Sequence, residues 1–263
     1  MQLDIQSSAL ILVHHGGRFT PEVINGYTSL KNGIIYHFYQ RNKPLTIYDA
    51  FLNSRYTDSI DGVVILDLEC LLQQLVNKNI KQLFIQPSLL VPGQQYTKLI
   101  NLLDIWQDKF DKIIIGDALL SDLDSCQKLA GMVDSYFGQN YGVENILIAH
   151  GGANIGNQWL NVFINELQKV NPQFNMLELS RGESPELFSQ LLQLEIDKLA
   201  TSRSIKIISF MLILGHHFYN DIVTTCNSIK SSLNIEVFPQ SLSELEFIHQ
   251  FIAEKIEKLV GIK

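Results

Sequence analysis

One pattern limits this chain more than any other: a short apolar run that ends in histidine and glycine, and it occurs twice. Ala9-Leu-Ile-Leu-Val13 runs into His14-His15-Gly16-Gly17, and Asn145-Ile-Leu-Ile-Ala149 runs into His150-Gly151-Gly152. Fully apolar runs of this length are the mark of buried parallel strands. The order of elements then repeats, and Ile85-Gln-Pro-Ser-Leu-Leu-Val-Pro-Gly93 corresponds to Ile207-Ile-Ser-Phe-Met-Leu-Ile-Leu-Gly215. Such a repeat predicts an α/β protein of two similar Rossmann-like, parallel-sheet halves facing a central cleft. The strongest mid-chain loop signal, Gly138-Gln-Asn-Tyr-Gly142, sets the expected division: residues 1–139 as an N-terminal α/β domain and 140–263 as a C-terminal one.

Strands are expected at 9–13, weakly at 46–48, and at 81–87, 112–116, 145–149, 174–179 and 205–214. Helices are expected from Thr20-Pro-Glu22 to about residue 40, from Gln94, and over 122–137, 155–170 and 185–199. Residues 61–76 have helical apolar spacing, although Val63-Val-Ile65 also suits a strand. The last helix, 243–259, begins with a Ser-x-x-Glu that reads as a capping box and is expected to pack back on the first domain.

A chain of 263 residues suits one large α/β domain or two smaller ones. The net charge of -7, with 20 scattered Lys and Arg, argues against nucleic acid, which needs a basic stripe. Local arginines can still hold an anionic small molecule. Cys70, Cys126 and Cys226 are odd in number and far apart, which disfavours a disulfide framework and fits a reducing cytoplasm. No basic segment precedes the first apolar run, and no run approaches the roughly 18 residues of a membrane span, so a cytosolic protein with no membrane partner is expected. Homo-oligomerisation stays open.

Five of the seven histidines fall at three strand ends: His14, His15, His150, His216 and His217. In open α/β sheets ligands bind outside the carboxyl ends of the strands. Imidazoles gathered there without cysteine suit a divalent ion such as zinc, nickel, cobalt or iron, and their spacing is not that of a closed structural zinc site. Adjacent residues of an extended segment point to opposite sides, so one of His14 and His15, and one of His216 and His217, faces away. His37 and His249 sit in predicted helices and read as structural or solvent-facing. Gly16 and Gly151 precede helices, where glycine lets backbone amides approach an anion, and Arg18 can meet a carboxylate bidentately. A tight turn alone would ask for the same glycines. Gly151-Gly-Ala-Asn-Ile-Gly156 misses the dinucleotide fingerprint at Ala153, so no nucleotide cofactor is inferred. Gly182-Glu-Ser-Pro-Glu186 likewise misses the nucleophile elbow of serine hydrolases.

Three motifs, in order, resemble those of the class II chelatases, most closely the anaerobic-type sirohydrochlorin cobaltochelatases. The family's Gln-Pro/Ser followed by Gly-x-Glu-Tyr is similar to Gln86-Pro87 through Gly93-Gln94-Gln95-Tyr96. Its Gly-His-Gly is similar to Ala149-His150-Gly151. Its Pro-Leu-Met-Leu-Val-Ala-Gly-Asp-His-x-x-Asn-Asp resembles Ser209-Phe-Met-Leu-Ile-Leu-Gly-His-His-Phe-Tyr-Asn-Asp221. The likeness runs from about residue 9 to the C-terminus, and the last motif is the most specific. It implies insertion of a divalent ion, cobalt first and Ni2+, Fe2+ or Zn2+ next, into sirohydrochlorin or a related small-molecule tetrapyrrole. It also implies that His150 and His217 bind the metal and help take the pyrrole protons. The chain departs from the pattern in three places. The family's Glu is Gln95, its Asp is His216, and its Ser-Phe-Gly after the first strand is His14-His15-Gly16. The chain has lost acids and gained imidazoles, so His15 and His216 become candidate metal ligands beside His150 and His217. Arg18 and Arg181 become candidates for the substrate's carboxylates. Because an amide cannot take a proton as a carboxylate does, a non-catalytic metal or tetrapyrrole carrier is the alternative.

Overall fold

A computed structural model describes residues 7–43, 45–53, 58–60, 63–139, 142–151, 154–179, 185–199, 204–215, 218–229, 231 and 233–261. The candidate residues Arg181, His216 and His217 lie outside that set. Two compact units emerge: residues through Leu119 together with Ser243 onward, and Leu120–Leu242.

The first unit runs β1 (Ser8–Gly16), α1 (Pro21–Gln40), β2 (Ile47–Asn53), β3 (Asp58–Ile60), β4 (Val63–Ile65), α2 (Leu68–Asn77), β5 (Gln82–Pro87), α3 (Gln94–Ile105) and β6 (Lys112–Ile115). Its parallel sheet has the order β2-β1-β5-β6, and β3 and β4 form a separate antiparallel pair. Both faces of β1 are covered, as its unbroken apolar run requires: Ala9 through Val13 are all buried. Each fully buried Leu or Ile contributes about 1.5–3 kcal/mol. α1 starts where its signals place it, with Thr20 as N-cap accepting from the Val23 amide and Pro21 at the first helical position.

The second unit runs α4 (Leu123–Phe137), β7 (Val143–Ala149), α5 (Asn154–Val170), β8 (Phe174–Glu178), α6 (Pro185–Lys198), β9 (Ser204–Ser209), α7 (Thr224–Ser228) and β10 (Asn234–Val237). Its parallel sheet is ordered β10-β9-β7-β8. Counting only the strands of each parallel sheet in chain order, both sheets read 2-1-3-4, so the repeat seen in the residues is also a repeat of topology. Both units are thus α/β with the Rossmann-like parallel sheets expected.

Four local expectations change. Asp67 caps α2 through the Glu69 amide, so the helix starts at Leu68, and Val63–Ile65 pair as a strand with β3. β9 stops at Ser209 and not at Leu214, because β10 pairs with β9 only from Ser204 to Ile207 and among the described residues no ladder continues past Ser209. The Ser-x-x-Glu before the last helix is no capping box. Residues 242–244 form a single 3-10 turn, and α8 (Glu246–Val260) begins after Leu245 without a side-chain cap. Finally, α4 lies with the second unit although the loop signal cuts after residue 139. It packs on α5, where Gln127 Nε2 donates to Glu166 and Asn171 Nδ2 to Asp134.

α8 packs on α1 within the first unit. The helices approach closely because Gly33 leaves room for the His249 ring; a Cβ there would stand 2.0 Å from His249 Nδ1. His249 Nε2 donates to the Ser243 carbonyl at 2.7 Å, and Arg41 pairs with Glu257 at 2.9 Å. Among the described residues, no helix is long and apolar enough to cross a membrane.

Candidate active site

In each sheet the first strand sends its chain one way and the third strand the other, so the switch points lie between β1 and β5 and between β7 and β9. The two exits are built alike. Ser88 N donates to Val13 O at 2.8 Å, and Phe210 N donates to Ile148 O at 2.8 Å. That register makes Val13 the counterpart of Ile148, and therefore His15 the counterpart of His150. The glycine after each is left-handed, Gly16 at φ +78 and Gly151 at φ +71. Glycine takes such a value without the Cβ strain most residues would meet there, so the turn requirement is real at both positions.

In the second unit His150 is half-buried, and its Nδ1 lies 3.1 Å from Gly151 O. A carbonyl can only accept, so Nδ1 carries the proton of the neutral ring and Nε2 carries the lone pair. That tautomer can bind a cation or take a proton through Nε2. Beside it stands Glu178, the last residue of β8 and not among the residues the sequence singles out. It is the register partner of Ala149, and its carboxylate oxygen would meet a Cβ on Gly151 at 3.2 Å. Burial holds its carboxyl above the usual glutamate range. The one acid in the strand run Phe174-Asn-Met-Leu-Glu-Leu179 is the signal that could have found it.

In the first unit the histidine pair splits as alternation demands. His14 is wholly buried and structural: Nδ1 lies 2.6 Å from Ser88 Oγ, Nε2–H donates to Asp49 Oδ1 at 3.2 Å, and Tyr27 and Phe51 pack on the ring. Lys31 reaches the other Asp49 oxygen at 2.8 Å. Burial pushes the Asp49 carboxyl up, but the His14 hydrogen bond and the charges of His14 and Lys31 outweigh it, so the net shift is down. His15 is exposed, and so is Arg18. Gly16 is hydrogen-bonded through its backbone to Tyr27, whose phenol burial pushes up to about 12. Gly16 therefore anchors the turn, and the first turn of α1 begins later, at Pro21.

Gln95 is half-buried in the first turn of α3, and Asn53 at the end of β2 holds it. Asn53 Nδ2 donates to both His15 O and Gln95 Oε1 at 2.9 Å, while Asn53 Oδ1 accepts from Lys98 Nζ at 2.6 Å. Gln86 and Tyr96 of the same motif are turned to structural tasks. Buried Gln86 ties β5 to the Asp117 carbonyl, and Tyr96 donates to Gly116 O. Asn53, Lys98, Asp49 and Ser88 were invisible as site residues in the sequence, since each is an ordinary polar residue until the sheet assembles it. Among the described residues no group of three or more His, Cys, Asp or Glu stands ready to hold a metal, and two of the four expected ligands, His216 and His217, lie outside those residues.

With the exits, the repeated His-Gly turns and the Gln95 position in view, the decisive comparison is with a family model. The model of cobalt chelatase (CbiK) matches residues 8–260. The chain belongs to the cobalt chelatase family. Nearly all of this chelatase is covered, including both strand exits. Among solved structures, SirB from Bacillus subtilis, determined with Fe3+, aligns with a TM-score of 0.66 at 13% identity over 97% of this chain and 96% of that one, a likeness of fold. AraP, an arabinose binding protein from Geobacillus stearothermophilus, aligns at 9% identity over 97% of this chain and 87% of that one, but with a TM-score of only 0.46. No curated protein matches this chelatase in sequence.

Proposed function

We propose that this chelatase inserts a divalent cation, cobalt in preference to nickel, iron or zinc, into sirohydrochlorin or a closely related tetrapyrrole. The observation that carries the reading is the His150 turn: an imidazole at the exit of β7, fixed by Gly151 O as the tautomer with its lone pair on Nε2. The incoming ion replaces two pyrrole protons, so the reaction needs a base at the metal and a path for two protons. His150 is assigned as base and ligand, His217 as second ligand, and His15 and His216 as further ligands. A neutral imidazole is suited to proton transfer near pH 7, and the entering cation itself favours the deprotonated macrocycle. Gln95 lies where the family pattern has Glu and completes the assigned set, while Arg18 and the turns at Gly16 and Gly151 are assigned to the macrocycle. Reaction in the cytoplasm, with a small-molecule tetrapyrrole as partner, fits this assignment.

The carrier reading draws support from one observation, the amide at position 95. A spectrophotometric assay separates the two. With catalytic protein, metal-free sirohydrochlorin and Co2+, Ni2+, Fe2+ or Zn2+ in turn, insertion well beyond one equivalent is expected, fastest with Co2+. A spectral change that stops at one equivalent would replace the enzyme with the carrier.

A further inference from the structure

The departure at position 95 has a structural partner that gives it a direction. Lys98 Nζ can only donate hydrogen bonds, so the Asn53 atom 2.6 Å from it is the oxygen. The His15 carbonyl can only accept, so the other Asn53 atom is the nitrogen, which confirms the same orientation independently. Asn53 Nδ2 therefore faces Gln95, and the Gln95 atom it meets at 2.9 Å is Oε1. The order of donors and acceptors along Lys98, Asn53 and Gln95 is thus set by groups that cannot be turned around. Gln95 is left with Nε2, and its two N–H bonds, as the half of the amide directed away from Asn53. Nε2 makes no hydrogen bond to a described residue, although the side chain is half-buried beside the His15 turn.

An amide nitrogen has no lone pair for a cation and accepts no proton. It donates. The neighbouring charge has the same preference: Lys98 Nζ is held by two neutral acceptors, Leu52 O at 2.7 Å and Asn53 Oδ1, and has no carboxylate within ion-pair distance among the described residues. A donor next to an ammonium that no described carboxylate pairs favours an anion. We propose that Gln95 is a specificity-determining residue which donates from Nε2 to a carboxylate of the tetrapyrrole, and that Asn53 and Lys98 are positioning residues that hold the amide in that orientation. This rests on the proposed tetrapyrrole substrate, and it assigns Gln95 to macrocycle binding in place of the metal or proton work of a glutamate.

The test uses the full chain, metal-free sirohydrochlorin followed by fluorescence, and initial rates with Co2+. Gln95→Glu still accepts from Asn53, so the fold is kept, but it presents an acceptor to the substrate. It should bind the macrocycle on the order of tenfold more weakly, the scale of losing one charge-assisted hydrogen bond. Asn53→Asp keeps Lys98 paired but faces Gln95 with an acceptor, which turns the amide over and should weaken binding by a similar factor. Both losses should fall on KM more than on kcat, the sign of a binding contact and not of a lost base. If Gln95→Glu binds as tightly as the wild type, or raises kcat, the inference is overturned even if Asn53→Asp fails to fold. Wild-type protein that neither binds nor metallates sirohydrochlorin would overturn the proposed function, and this inference with it. Wild-type turnover that Gln95→Glu leaves untouched would overturn the inference alone.

Discussion

His15 and His150 occupy one position of the repeat. Each follows the strand residue whose neighbour bonds the exit of the third strand, and each precedes a left-handed glycine, at φ +78 and φ +71. The two turns differ in what surrounds them. Asn53 holds the carbonyl of His15, whereas Glu178 stands against the turn of His150.

If His150 is the base and metal ligand, the two histidines are unequal despite their equivalence. His150→Ala should lower the cobalt insertion rate by about 100-fold or more, the ordinary worth of a general base. His15→Ala should cost about tenfold or less. Steady-state rates on both variants decide this, and equal losses would give His15 the same weight in the reaction as His150.

Both turns depend on glycine. Gly16→Ala places a Cβ 3.2 Å from the Asn53 backbone, and Gly151→Ala places one 3.2 Å from the Glu178 carboxylate, each at positive φ. Each should lose roughly 1–2 kcal/mol of stability. Gly93→Ala has no atom near the new Cβ and a negative φ, so it should change stability little. Denaturant unfolding of the three variants compares them directly.

Glu178 carries a pH signature. Burial raises its folded-state pKa, so folding opposes its ionisation, and the protein loses stability as the pH rises from the ordinary value of 4.5 through the raised one. Glu178→Gln removes that penalty. Its Tm should exceed that of the wild type at neutral pH, and the gap should close below pH 4.5. Thermal melts across pH check both the sign and the window.

The seam between α1 and α8 rests on Gly33 and His249. Gly33→Ala drives a methyl group into a ring held by its bond to Ser243 O, and should destabilise by about 1–3 kcal/mol. Combining it with His249→Ala should cost less than the sum of the single changes, because the second substitution vacates the space the first one needs. A double-mutant cycle measures that coupling.

Much of this architecture was legible because hydrophobic period and glycine placement act locally. The apolar runs at 9–13 and 145–149, the Thr20-Pro21 helix start and the paired His-Gly turns are written in consecutive residues, and the repeat follows from reading them twice. The length of β9 was not legible. Its apolar residues continue to Leu214, but a strand lasts only as long as a neighbour pairs with it, and among the described residues none continues past Ser209.

The site divides in the same way. Sequence alone placed His150 and Gln95 after strands, and the family resemblance implied that an acid had become an amide at position 95. It also showed that one of His14 and His15 must turn inward, without saying which. Only tertiary structure buried His14 against Asp49 and Ser88, set Glu178 against Gly151, and ran the Lys98–Asn53–Gln95 chain that orients the amide. Those groups come from separate strands and helices, up to 74 residues apart for His14 and Ser88. Hydrogen-bond direction between such residues is set by distances of about 3 Å that no local pattern encodes.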